Sequence, residues 1–191
     1  MRSCGQRALH HSRGRLEAMR KGYIQVYSGN GKGKTTAALG LALRAAGANM
    51  RVFIAQFIKK RVCSEHKIIL ERLSDHITVQ RYGRGLILKR KATSADVAAA
   101  RQGLDDIKDI MESGQYDVLI LDEANVAVRY NLISSADLLR IMELKPEQVE
   151  LIITGRYAHS TVIARADLVT EMKEIKHYRT REVGARRGIE W

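Results

Sequence analysis

Along this chain, short apolar runs of strand length alternate with longer stretches in which apolar residues recur every three or four positions. The first kind of pattern predicts strands and the second predicts helices. Strands are expected at Tyr23 to Ser28, Arg51 to Phe57, Ile77 to Gln80, Val118 to Leu121, Val149 to Ile153 and Leu168 to Met172. Helices are expected at Thr35 to Ala46, which is rich in Ala and Leu, and at Ser94 to Met111, with Ser94 as N-cap. A third is expected at Ser135 to Leu144, stopping ahead of Pro146, and a further helical segment before Leu168. Four or five of the strands are apolar throughout, so both of their faces must be covered. The predicted architecture is therefore α/β, a parallel sheet with helices on its two faces. Lys173 to Trp191 has no clear period and reads as loop-rich.

Composition narrows this picture. With 191 residues, 45% of them hydrophobic, and a single proline, the chain reads as one globular domain without a linker. No window nears 18 consecutive apolar residues, which argues against a membrane-spanning helix. Residues 1–22 form a basic segment carrying Arg2, Arg7, Arg13, Arg15, Arg20 and Lys21, and 23–191 form the α/β domain. The basic segment lacks the continuous apolar stretch of a secretory signal. Its Arg-rich character also suits an organellar transit peptide, with Met19 as an alternative start, but the expected location is cytoplasmic. Two cysteines, Cys4 and Cys63, provide no disulfide framework. The net charge of +12 is unevenly spread: 44–91 holds 12 basic and 3 acidic residues, whereas 92–170 holds 7 basic and 13 acidic. A basic region of that kind attracts polyanions without choosing among them.

The strongest chemical signal is Ser28-Gly29-Asn30-Gly31-Lys32-Gly33-Lys34-Thr35-Thr36, placed between the first strand and the first helix. Glycines let backbone N–H groups converge on phosphate oxygens, and the helix N-terminus adds positive potential. Lys34 supplies charge, and the Thr35 hydroxyl suits Mg²⁺. Ser28 stands where the general motif has glycine, so the loop is a variant of it. The second signal is Val118-Leu119-Ile120-Leu121-Asp122-Glu123, an apolar strand ending in two acids. In a parallel sheet this end shares an edge with the phosphate loop, which makes Asp122 and Glu123 candidates for the metal held at Thr35. Because adjacent residues point differently, one acid is expected to face the metal and the other a neighbouring polar group. The alternative for Asp122 is a helix N-cap.

Weaker signals follow. Arg156, in Thr154-Gly155-Arg156, stands at the end of another strand, from which its guanidinium can clamp polyphosphate, although such an arginine is as often a surface residue. Cys63 and His66 are spaced for half a metal site but have no second Cys/His pair nearby. No serine or cysteine nucleophile motif supports acyl transfer. Aromatics amount to 5%, which weakens any model in which bases stack along a nucleic acid strand.

Taken together, the motifs resemble the ATP:corrinoid adenosyltransferases of the CobA/CobO/BtuR type. The residues carrying the resemblance are Gly29 through Ala38, Leu121-Asp122-Glu123, Thr154-Gly155-Arg156, Ala166 through Met172, Lys176-His177 and Gly188-Ile189-Glu190. The resemblance implies a P-loop NTPase-like, RecA-like fold and transfer of the 5′-deoxyadenosyl group of ATP to a cobalt(I) corrinoid, with release of triphosphate. It further implies that ATP lies reversed in the loop, and that Gly29, Asn30, Gly31, Lys32, Gly33, Lys34, Thr35 and Thr36 hold its phosphates. Arg44 and Arg156 would contact ribose or phosphate, and Thr35 and Glu123 would serve Mg²⁺ (or Mn²⁺) or the ribose end. Lys34, Thr35 and Glu123 are the implied catalytic set. A homodimer, a flavoprotein-type reductant and a corrinoid-capping role for residues 1–22 follow in the same way. The chain departs from the family at Gly83-Arg84-Gly85-Leu86-Ile87-Leu88, where Leu86 and Leu88 stand in place of aromatics. Two other classes stay open on the residues alone: a P-loop ATPase acting on nucleic acid, and a nucleotide-binding regulatory module without turnover.

Overall fold

The computed structural model describes residues 21–59, 62–85 and 91–190. The expectations for residues 1–20 and for Leu86 and Leu88 lie outside these residues. Six parallel strands form one sheet in the order β3-β2-β4-β5-β1-β6. They are β1 (Ile24–Ser28), β2 (Val52–Phe57), β3 (Ile77–Tyr82), β4 (Val118–Asp122), β5 (Glu150–Thr154) and β6 (Leu168–Glu171). Between them run α1 (Lys34–Gly47), α2 (Ser64–Arg72), α3 (Ser94–Ser113), α4 (Ala124–Arg129), α5 (Ser135–Leu144) and α6 (Ser160–Arg165). The expected α/β single domain with a covered parallel sheet is what forms.

Strand periodicity divides the core in two. On one face Phe53, Ala55, Phe57, Leu119, Leu121, Leu151 and Ile153 pack with α3 and α5 through Leu104, Ile107, Leu138 and Ile141. On the other, Val52, Ile54, Val118, Ile120 and Ile152 pack with α1 through Ala38, Ala42, Ala45 and Ala46. Alternate residues of one strand thus serve opposite layers, which is why β2, β4 and β5 are buried end to end. The alanines of α1 give its buried face little bulk, so the helix that carries the phosphate loop sits close to the sheet.

The expected last strand forms as β6, an exposed strand at the edge of the sheet. Two local readings need correction. The N-cap of α3 is Thr93, not Ser94, because the Asp96 carboxylate accepts both the Thr93 N–H at 2.9 Å and its hydroxyl at 2.7 Å. Asp122 does not cap α4; the capping position falls on Glu123, which adopts left-handed backbone at φ 63°. The sequence pattern also gave no sign of α2, whose one buried residue is Ile69, or of the six-residue α4.

Candidate functional site

Parallel strands bring the carboxyl ends of β1, β2, β4 and β5 to one edge of the sheet, and the candidate residues gather there. After β1, Gly29 and Gly33 take φ values of 94° and 123°, conformations that side-chain-bearing residues rarely adopt. A Cβ on Gly29 would stand 2.4 Å from the Met172 carbonyl oxygen, and Gly31 donates its N–H to that same oxygen at 2.6 Å. The loop is therefore moulded against the end of β6. Ser28, the departure from the general motif, accepts the Ala158 N–H on its hydroxyl at 3.3 Å, so the hydroxyl has a structural partner.

Lys34 is buried and curls over its own loop, donating to the carbonyls of Gly29 at 2.7 Å and Gly31 at 2.6 Å. Burial and then the neighbouring Arg156 push its pKa down, against Glu123 and Asp122, which hold it up. An anion in the loop would restore the charge-favouring surroundings that burial removes.

Asp122, at the end of β4, is 1% exposed and accepts four hydrogen bonds. Its Oδ1 takes the hydroxyls of Thr35 and Thr154, each at 2.8 Å, and its Oδ2 takes Gln56 Nε2 at 3.1 Å and Lys59 Nζ at 2.8 Å. Glu123 instead lines the open cavity, its backbone N–H held by the Thr154 hydroxyl at 3.1 Å. The two adjacent acids therefore point differently, one into a polar network and one toward the cavity.

Lys59 carries no motif in the sequence that marks it as a site residue. It follows β2 through a turn in which its N–H meets the Phe57 carbonyl at 2.7 Å while Ile58 takes φ 67°, an unfavourable value for a β-branched residue. Gly83 makes that turn possible, since a Cβ there would lie 2.1 Å from the Ile58 carbonyl carbon. The turn delivers the Lys59 ammonium to Asp122 and, at 3.2 Å, to Thr35 Oγ1. Burial lowers its pKa, but Asp122 and Glu123 outweigh burial and the net shift is upward.

These groups border a cavity of about 570 Å³, within the ordinary size range of small-molecule sites. Its walls include Gly31 to Thr36 of the loop, Lys59, Glu123 and Arg156, together with Cys63 to Glu65 at the start of α2. The carboxyl-terminal stretch contributes His177 and Gly188 to Glu190. That stretch is tied to the loop: Lys32 donates to the Ile189 carbonyl at 2.8 Å and meets Glu190 at 3.2 Å. Glu190 also receives Tyr178 and Arg186, and these donors hold its carboxyl far below the usual range. Arg44 is not part of this assembly. It lies exposed in the last turn of α1, ten residues and roughly 15 Å of helix beyond Lys34. Cys63, Glu65 and His66 bring ligand atoms within 4.8 Å of one another, but both His66 nitrogens are already hydrogen-bonded, one to the Cys63 N–H and one to Gln56.

Burial, then the Asp122 charge, raises the Glu123 pKa, with Lys59, Lys34 and Arg156 opposing. A carboxyl with a raised folded-state pKa costs stability once it ionises. That cost is absent below its ordinary value of 4.5 and grows as pH rises through the folded-state value. Glu123→Gln in EDTA should therefore raise the melting temperature at pH 7 and leave it unchanged near pH 4. Equal shifts at both values, followed by calorimetry, would contradict the assigned cause.

A glycine loop joining strand to helix at the carboxyl edge of a parallel sheet, with a lysine, a hydroxyl and a buried strand-end acid around it, defines a P-loop nucleotide-binding protein. Within that class, the chain belongs to the ATP:corrinoid adenosyltransferase family BtuR/CobO/CobP, whose model matches residues 20–191. Relatives named corrinoid adenosyltransferases include a Sinorhizobium protein, 34% identical over 90% of this chain and 81% of its own length. One from Escherichia coli strain K12 is 33% identical over 90% of this chain and 86% of its own. A Salmonella typhimurium protein named corrinoid adenosyltransferase CobA is 32% identical over the same shares. Among the described residues, no helix is long and apolar enough to cross a membrane.

Proposed function

We propose that this protein transfers the 5′-deoxyadenosyl group of ATP to the cobalt(I) of a corrinoid and releases triphosphate. One observation carries the reading. Stretches of the family resemblance more than 150 residues apart, from the loop at Gly31 to Glu190, border a single cavity that also takes in Glu123, Arg156 and His177. Neither the nucleic-acid ATPase nor the regulatory module finds support in the comparisons.

In the reaction, the cobalt(I) electron pair forms a bond to the 5′ carbon of ATP. The carbon–oxygen bond to the phosphate chain breaks, its pair leaves on the triphosphate, and cobalt becomes formally cobalt(III). Cobalt(I) is itself the nucleophile, so no protein base is needed; the chain's task is positioning and leaving-group stabilisation. The loop from Gly29 to Thr36 holds the phosphate tail, reversed so that the 5′ carbon faces the corrinoid. Lys34 and Arg156 meet the charge that accumulates on triphosphate.

Thr35, Glu123 and, behind them, Asp122 offer the hard oxygen donors that Mg²⁺ or Mn²⁺ prefers. The Lys59 ammonium, between Thr35 Oγ1 and Asp122 Oδ2, marks a spot that already favours positive charge. When bound, a divalent cation neutralises charge on the leaving phosphates. The proposal includes a homodimer, capping of the corrinoid by residues 1–22 and a flavoprotein-type electron donor that keeps cobalt reduced.

Product identity tests the reading. Incubation with ATP, Mg²⁺ and chemically reduced cobalamin should give triphosphate and a light-sensitive cobalt–carbon product in equal amounts. ADP and orthophosphate in their place would overturn it.

A further inference from the structure

Behind Asp122 runs a directional chain of hydrogen bonds. His66, the third residue of α2, accepts the Cys63 backbone N–H on Nδ1 at 2.7 Å. It thus takes the part that a glutamate plays in a capping box. With Nδ1 occupied as an acceptor, the neutral ring carries its proton on Nε2. That nitrogen lies 2.5 Å from Gln56 Oε1 and donates to it. Gln56, 1% exposed, then donates through Nε2 to Asp122 Oδ2 at 3.1 Å, its register partner across β2 and β4. The other Asp122 oxygen accepts from Thr35. Every link has one donor and one acceptor, and each order is fixed by the one before it. Reversing the ring tautomer would set two donors face to face at Cys63 and two acceptors face to face at Gln56.

We propose that His66 is a positioning residue: through Gln56 it holds the Asp122 carboxylate in the orientation that serves Thr35 and the divalent-cation position. It also ties that orientation to the first turn of α2, whose Cys63, Ser64 and Glu65 border the same cavity. His66 touches no reacting atom in this scheme. Burial disfavours its charged form, which suits a ring that must accept at Nδ1, with Glu65, Arg81 and Lys59 the charged groups around it and the Cys63 N–H bonded to it.

The competing account is that His66 merely caps α2, and two amide variants separate the two roles. His66→Asn places its carbonyl oxygen near the Nδ1 position, so it keeps the cap and loses the donor to Gln56. His66→Gln places its amide nitrogen near the Nε2 position, and its carbonyl oxygen can accept the Cys63 N–H as glutamine does at this capping-box position, so it keeps both the donor and the cap. The readout is the ratio of ATP affinity with Mg²⁺ to ATP affinity in EDTA, measured calorimetrically without corrinoid. It therefore rests on nucleotide and metal binding and not on adenosyl transfer, whose failure the product assay reports separately.

His66→Asn should lower the ratio about tenfold, the low end for losing an outer partner of a metal ligand. His66→Gln should stay within about threefold of the parent, consistent with a preserved link. Gln56→Met should reproduce the loss seen in His66→Asn, and combining the two should add nothing, because both cut one chain. An unchanged ratio in His66→Asn, an equal loss in both amide variants, a greater loss in His66→Gln, or additive losses in the double variant would overturn the proposal.

Discussion

Lys34→Met should weaken ATP binding by about 10- to 100-fold, the effect expected when charge-assisted hydrogen bonds to phosphate, each worth about 1.5–3 kcal/mol, are removed. Under saturating nucleotide the adenosylation rate should fall further, by about 100- to 1,000-fold, because the lost charge also stabilises the leaving group. The comparison variant is Lys32→Met. Lys32 lies in the same loop but spends its ammonium on Ile189 and Glu190, at a side-chain exposure of 41%. Its loss should change ATP affinity by less than about fivefold, since exposed pairs contribute little. Calorimetric titration with ATP and the rate of light-sensitive product formation measure the two effects. If the two lysine variants behaved alike, Lys34 would have no special place at the phosphates.

The second large effect is on folding. In Asp122→Asn the amide can still accept from Lys59 and Gln56 on its oxygen while the Thr35 and Thr154 hydroxyls turn to accept from its nitrogen, so the hydrogen-bond count survives. The charge does not. Lys59 would be left as a largely buried ammonium without its counterion, at a cost of about 3 kcal/mol, the lower end for breaking a buried pair because 27% of that side chain remains exposed. Lys59→Met in the Asp122→Asn background should recover most of this loss. Urea unfolding of the three proteins decides the matter: a double variant no more stable than Asp122→Asn shows that the ion pair is not what Asp122 stabilises. Adenosylation should stay low in the double variant, since restoring stability does not restore the carboxylate.

The phosphate loop and the strand-end acids were readable in advance because their chemistry is local. Glycine backbone freedom, one lysine and one hydroxyl within nine consecutive residues suffice to specify an anion cradle, and an apolar run ending in two acids specifies a buried strand with a polar tip. α2 leaves no apolar stripe in the sequence, because only Ile69 of its nine residues is buried. The family resemblance places Arg44 at the nucleotide, and in the structure it is exposed in the last turn of α1 and does not border the cavity. Lys59 has no motif of its own. Its position follows from a strained turn at Ile58, which Gly83, 25 residues later, leaves room for.

What the sequence determined by itself was the alternation of buried strands and helices and the presence of a phosphate cradle, both encoded in residues close together along the chain. What only the tertiary structure decided was which side chains meet at the edge of the sheet. Thr35, Gln56, Lys59 and Thr154 reach Asp122 across sequence separations of 87, 66, 63 and 32 residues. Those meetings depend on β4 lying between β2 and β5, and strand order is set by the packing of two separate core layers, which no local pattern records.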